Sequence, residues 1–269
     1  MKVAISQMKP YLADVEKNLK KMEENIEKAI KNEADTIVFP ELSITGSLLE
    51  DAVFDVGICE IPEKFMEFSR KITIVFGAVE AEKGKLYNTG YCLEDGKIIG
   101  KHRKVFFSNG HGGSESRYFT RGKEIQTFES RHGNFAIVLG EEGANPMVQG
   151  ILGIQNADVV FSLVNEEAAA KKEKSVYEAG AVNSSLYNNN FNIVVNRIGT
   201  EDNVVFAGSS FAVSPYGKII EKMEQFTEKL SIINIDLNDT RRAAYSSSFD
   251  RENNLEVIKR EIEKLAEKN

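Results

Sequence analysis

Three polar groups stand at the ends of short apolar runs, where a folded chain leaves its core and a side chain can be both buried and used. Phe39-Pro40-Glu41-Leu42 sets a carboxylate directly after the run Thr36-Ile37-Val38-Phe39. Partial burial at such a point raises a carboxyl pKa and lets the group accept a proton near neutrality. In Lys101-His102-Arg103-Lys104-Val105, strand alternation puts His102 and Lys104 on one face and Lys101, Arg103 and Val105 on the other. An ammonium aimed into a pocket stabilises a developing oxyanion, as fixed positive charge does in acyl transfer. The third group is Glu115 in Gly113-Ser114-Glu115-Ser116-Arg117-Tyr118-Phe119, where it can orient the lysine or a ligand while Tyr118 and Phe119 anchor the segment. Singly, each has an ordinary reading as well: a cap or surface acid, a solvated strand end, an exposed loop acid.

Positioning such groups requires short strands held by helices, and the pattern supplies them. Residues 2–8 alternate as a strand, and Asp14 is placed to cap a helix with Leu19, Met22, Ile26 and Ala29 on one face. Thr36–Phe39 reads as a strand, and a helix is expected around 60–70, where Ile61, Phe65 and Phe68 share a face. A β-rich stretch from 72 to 105 turns at Glu94-Asp95-Gly96. Phe107 to Gly122 has no periodicity and reads as a loop, followed by a buried strand at Phe135–Leu139. Pro146 opens a helix reaching about Asn156, and then come a strand at 158–164, a helix at 167–188 and a strand at 191–197. Strands FAGSSFAVSP and KLSIINIDL, with a turn at Pro215-Tyr216-Gly217, precede a C-terminal helix with Leu255, Ile258, Ile262 and Leu265 on one side.

Hydrophobic residues make up 42% of the 269 and charged residues 28%, which suits an ordinary globular core. The formal charge of -7 argues against a nucleic-acid or anionic-membrane partner, since either favours a basic face. No apolar run has the length of a signal peptide core or a bilayer span, so a cytoplasmic location is expected. Two cysteines, Cys59 and Cys92, make no disulfide framework. His102, His111 and His132 lack metal-ligand spacing. Around Gly110, Gly112 and Gly113, Glu115 takes the place of the third glycine of a nucleotide-binding loop. Neither metal nor cofactor is expected.

In order along the chain, the opening strand and Asp14-capped helix, FPELSITG, YNTGYCLEDGKIIGKHRKVFF, ESRYFTRG and VVNRIG…FAGSSFAVSPYGKII resemble the nitrilase, or carbon–nitrogen hydrolase, superfamily. The resemblance runs over nearly the whole chain. It implies one domain over 1–269, an α/β fold built as a four-layer αββα sandwich, and pairing into homodimers or larger homo-oligomers. Members use a glutamate base, a lysine and a cysteine nucleophile to open a nitrile, amide or carbamyl bond through a thioester. By motif, Glu41 matches the base, Lys104 the oxyanion partner and Glu115 a further glutamate that positions substrate and proton traffic.

The family's cysteine ends an apolar strand and is followed two residues later by an acid. The matching segment is Ile137-Val138-Leu139-Gly140-Glu141-Glu142, so Gly140 falls at the nucleophile position and Glu142 at the following acid. No cysteine occurs after residue 92, and the Ser209-Ser210 pair lacks a nucleophile elbow of the G-x-S-x-G kind. Glycine tolerates a strained elbow without a Cβ clash, so the fold survives the replacement while thioester chemistry does not. Glu115, Glu141 and Glu142 are the expected substrate contacts. Three functions follow as expectations: a homologue that binds a small amide, nitrile or carbamyl compound with its covalent chemistry lost; a non-catalytic subunit pairing with an active homologue; or a hydrolase activating water directly through Glu41 or Glu142.

Overall fold

The computed structural model describes residues 1–107, 115–168, 175–246 and 254–267. Two six-stranded sheets lie face to face. The first runs β14 (Lys229–Asn234), β1 (Lys2–Gln7), β2 (Thr36–Val38), β3 (Thr73–Glu82), β4 (Lys85–Glu94) and β5 (Lys97–Arg103). The second runs β13 (Ile219–Lys222), β12 (Phe211–Val213), β9 (Phe191–Asn196), β8 (Val159–Val164), β7 (Gly133–Leu139) and β6 (Thr127–Ser130). In each sheet a parallel trio, β1–β2–β3 or β7–β8–β9, is flanked by antiparallel strands. A ribbon of β10 (Ile198–Glu201) and β11 (Val204–Ala207) stands apart.

Helices cover both outer faces. On the first sheet lie α1 (Val15–Lys31) and α3 (Glu63–Phe68), with the short α2 (Val53–Val56) near α4 (Glu115–Tyr118). On the second lie α5 (Pro146–Ile154) and α6 (Val176–Asn188), followed in sequence by α7 (Asn238–Ser246) and α8 (Leu255–Ala266). No helix among the described residues is long and apolar enough to cross a membrane.

The alternation of each strand distributes its side chains between two cores. Val3, Ile5, Val38 and Val75 face Phe135, Ile137, Val159 and Phe161 across the gap between the sheets. Ala4, Ile37, Ile74 and Phe76 face Met22, Ile26 and Phe65 of the covering helices. Burial on both sides explains the near-continuous apolar runs. Polar residues in these strands are therefore sequestered too: Gln7 is buried and donates to the carbonyls of Glu224 and Thr227. Asp14 accepts from the Lys17 N–H at 3.2 Å, a cap that contributes about 1 kcal/mol to α1.

The element boundaries differ from expectation in several places, among them α2 and α7, which are additional helices. The segment read as loop over 107–122 contains one helical turn, α4, too short to show periodicity; His111, Gly110, Gly112 and Gly113 lie outside the described residues. The helix expected over 167–188 is described from Val176, and Glu167 instead bridges to Phe206. FAGSSFAVSP is divided between β11 and β12, with Ser209 at a positive φ of 61° between them. Strands β6, β10 and β13 are additional, each of 4 residues, short enough to escape a period count.

One close approach sets the position of Glu41. A β-carbon on Gly77 in β3 would lie 2.5 Å from the Leu42 nitrogen and 2.9 Å from the Glu41 Cα. Leu42 itself has φ 49°, a left-handed conformation that costs a leucine energy and turns the chain sharply after Glu41. The obstacle is backbone, so it cannot rotate away. Gly77→Ala should lower unfolding stability by about 1–3 kcal/mol in a denaturant titration, the cost of overpacking; an unchanged midpoint would show that the turn gives way freely.

Candidate active site

Strand ends from the first sheet converge on the start of α4 and on the end of β7. Glu41 follows β2 and Pro40, and Lys104 follows β5. The Lys104 backbone is fixed on both sides, its N–H donating to the Asn88 carbonyl at 2.9 Å and its carbonyl accepting from Gly122 at 2.8 Å. Its ammonium, only 3% exposed, donates to Glu41 Oε1 at 3.0 Å and to Glu115 Oε1 at 2.9 Å. Asn88 Nδ2 donates to the same two oxygens, at 2.8 and 3.3 Å. Alternation along β5 has the expected result: His102 and Lys104 point inward, while Lys101 and Arg103 reach Glu80 on the other face.

Gly140 directly follows β7 at φ +53°, a conformation glycine adopts without penalty, and opens a 3-10 turn to Ala144. A β-carbon at Gly140 would point at the Lys104 ammonium, 2.6 Å from Nζ, 3.2 Å from Cε and 3.4 Å from Glu41 Oε1. The apex of the elbow thus faces the polar cluster but brings no side-chain atom to it. Glu41, Lys104, Glu115 and Gly140 are brought together.

Glu142 is used differently from the ligand contact expected of it. It is fully buried: its Oε1 accepts from the Val105 and Phe106 N–H groups at 2.7 and 3.1 Å, and its Oε2 accepts from Leu139 at 3.0 Å and pairs with His102 Nε2 at 2.7 Å. This brace ties the elbow to the end of the lysine strand. Glu141 beside it is exposed. Cys59 is exposed and Cys92 lies in the core between the sheets, where burial pushes its thiol pKa up. Neither thiol is placed at the elbow.

Electrostatics follow from burial and pairing. Burial raises the Glu41 carboxyl pKa, the Lys104 charge opposes the rise, and the Glu115 charge adds to it; the net direction is up. For Lys104, burial works against the charge, but Glu41 and Glu115 outweigh it and hold the ammonium protonated. For Glu142, burial would raise the carboxyl, yet His102 and the backbone N–H groups win and hold it low. The cluster therefore contains a fixed cation and a carboxyl able to carry a proton, the requirements for oxyanion stabilisation and general acid–base transfer.

Three participants escape a reading of the sequence. Asn88 is visible only as a polar residue in a strand, and its service to two carboxylates is tertiary. Asn165, after β8, donates to the Glu41 carbonyl at 3.1 Å once its amide is oriented to suit its neighbours. Tyr177 on α6 is nearly buried, and its phenol is pushed up by burial and then by Glu41, Glu166, Glu141 and Glu115.

The Glu41 shift has a sign that can be checked. A carboxyl whose pKa is raised by folding favours the folded state at low pH and loses that contribution as pH rises from the ordinary glutamate range through the raised value. Glu41→Gln removes this titration. Its melting temperature, relative to the parent, should climb as pH is raised from 4 to 8; parallel curves would show that Glu41 is not the group responsible.

A family model described as carbon-nitrogen hydrolase matches residues 2–245. The glutamine-dependent NAD(+) synthetase of Acinetobacter baylyi is 28% identical over 247 residues, covering 89% of this chain but 45% of its own. The chain thus spans about half the length of such relatives. A nitrilase of Pyrococcus abyssi is 26% identical over 248 residues, covering 88% of this chain and 90% of its own. A carbon-nitrogen hydrolase structure from Helicobacter pylori G27 superposes with a TM-score of 0.85 at 21% identity, over 95% and 96% of the two chains, which bears on the fold alone. Two helix-covered sheets, their match to nitrilase-superfamily structures and the span of the family model agree: the chain belongs to the carbon–nitrogen hydrolase family.

Proposed function

We propose that the Glu41–Lys104–Glu115 cluster binds a small amide, nitrile or carbamyl compound, and that the covalent thioester route is lost because Gly140 stands at the nucleophile position. The observation that carries this reading is the direction of the missing side chain. A β-carbon on Gly140 would project onto the Lys104 ammonium and Glu41, where an attacking sulfur would need its oxyanion partner and its base. Support also comes from an amidase of Nesterenkonia sp. AN1 with this fold, a Glu-to-Gln mutant of which shows covalent addition of the acetamide moiety of fluoroacetamide at its active-site cysteine. Relatives named glutamine-dependent point to primary carboxamides, because the glutamine side chain ends in one.

With a thiol in place the steps balance as follows. Glu41 takes the thiol proton and the sulfur attacks the carbonyl carbon, leaving the oxyanion beside Lys104. Collapse expels the amine with the proton from Glu41, giving a thioester. Water, deprotonated by Glu41, then releases the acid and regenerates the thiol. Without the sulfur, the parent protein retains binding and proton transfer but no acceptor for the acyl group.

Gly140→Cys tests the reading. The β-carbon would lie 2.6 Å from the tip of the Lys104 side chain, so the ammonium must shift within its ion pairs with Glu41 and Glu115, while the positive φ costs a non-glycine residue about 1 kcal/mol or somewhat more. The variant should release ammonia from a panel of carboxamides and be silenced by thiol alkylation, while the parent binds the same amide without turnover. Equal turnover by the parent would sink the lost chemistry and favour direct activation of water through Glu41. Absence of carboxamide binding by both proteins would sink the ligand class.

A second reading, self-pairing or pairing with an active homologue, is favoured by α5. Its sequence PMVQGILGI has no charge, and Met147, Ile151 and Ile154 stand exposed on it directly after the elbow. Such a stripe on a chain that is 28% charged supports an interface over a solvated face. Ile151→Glu should shift the sedimentation coefficient to that of a monomer; identical boundaries for parent and variant would remove this surface from consideration.

A further inference from the structure

On the opposite side of β5 from Lys104, a cavity of about 560 Å³ opens between the edges of the two sheets. Its charged lining is Lys85, Lys101, Arg103, Arg121, Lys123 and Glu124. Lys101 and Arg103 share Glu80, at 2.8 and 2.7 Å, and Arg103 also reaches Glu82 at 3.0 Å. Among the described residues, Lys85, Arg121 and Lys123 have no carboxylate within ion-pair distance. Five cations therefore meet three carboxylates, on a chain whose net charge is -7.

The cations are partly pre-positioned. Arg121 donates from Nη1 to the Val105 carbonyl at 2.8 Å and lies over the Phe107 ring, which leaves its other N–H groups for a ligand. Arg103 stacks on Tyr87, its guanidinium carbon 3.8 Å from the ring centroid, with Nε and Nη2 used and Nη1 unused. Ile98 and Phe128 supply an apolar wall. A concave surface with surplus positive charge concentrates anions, and planar guanidinium groups match phosphate oxygens. The volume suits a small metabolite rather than a single ion.

We infer that this groove is a binding site for a phosphate-bearing small molecule, separate from the Glu41–Lys104 cluster. Carboxylates would be held less well, since surplus charge rather than one bidentate pair dominates the lining. The backbone also connects the two sites: Arg121 holds the Val105 carbonyl and Gly122 donates to the Lys104 carbonyl, so an anion gripping Arg121 and Lys123 loads the strand end that carries the buried lysine.

Titration calorimetry on the whole chain at low ionic strength tests the site, with pyrophosphate and phenyl phosphate as probes and phenol as the neutral control. The expected result is saturable one-to-one binding of both phosphates, weakened by added salt, and no binding of phenol. The double variant Lys85→Ala/Lys123→Ala, both at exposed unpaired positions, should weaken it at least tenfold with an unchanged melting temperature. The double variant Lys20→Ala/Lys31→Ala, which removes the same charge from α1, should bind like the parent. Equal loss in both double variants would reduce the effect to net charge and overturn the site; so would undetectable binding, or phenol binding as tightly as phenyl phosphate.

Discussion

Everything at the centre of this molecule depends on one ammonium taken out of water. Burying an unpaired lysine costs several kcal/mol, so Lys104 stays charged only because Glu41 and Glu115 both reach it. Those partners come from distant parts of the chain: one follows a parallel strand, the other lies on a single helical turn. Asn88, on the strand beside Lys104, donates to both and keeps the two carboxylates from facing each other unscreened. The fold is constrained to deliver three segments to one point within hydrogen-bond distance, and the tight passage of Gly77 under Glu41 and Leu42 is part of how it does so.

Two carboxylates against one ammonium leave an excess of negative charge in a dry place. Burial is what moves the Glu41 carboxyl up, with the Glu115 charge adding to it against the pull of Lys104, while the lysine holds its own proton. The elbow opposite is stabilised from another source. Glu142 gathers three backbone N–H groups and His102, so the turn after β7 is held by a residue two positions past its apex. The apex residue carries none of that work. A glycine there meets the positive φ of the turn without strain and takes no part in the bracing.

Much of this was legible in the residues, and the reason differs from part to part. The central strands announce themselves because burial on both faces forces apolar runs such as Thr36–Phe39 and Phe135–Leu139. The inward direction of Lys104 and His102 follows from a period of two. Glu41, Lys104, Glu115 and Gly140 gained meaning from their order along the chain, since each is commonplace by itself. Glu142 shows the limit: an acid near an elbow reads equally well as a ligand contact or a brace, and only the convergence of four donors distinguishes them. Asn88 and Asn165 were hidden for the same reason. The four-residue strands and the single turn of α4 lacked enough residues for any period to register.

The two faces of β5 divide the electrostatic labour. Outward, Glu80 feels burial that would raise its carboxyl, yet bonds from Arg103, Lys101 and Thr89 hold it down to about 2, so that lock keeps its charge across the physiological range. Inward, Lys104 is equally constant, but Glu41 is not. A strand clamped from behind by the Glu80 network presents its lysine beside Glu41, a carboxyl whose environment is unfavourable for charge. The asymmetry follows from alternation: neighbouring residues on one strand meet opposite environments, one with surplus cations open to solvent and one with surplus carboxylate sealed from it. Placing the titratable group on the sealed side is what lets a change of one proton alter the charge balance of the whole cluster.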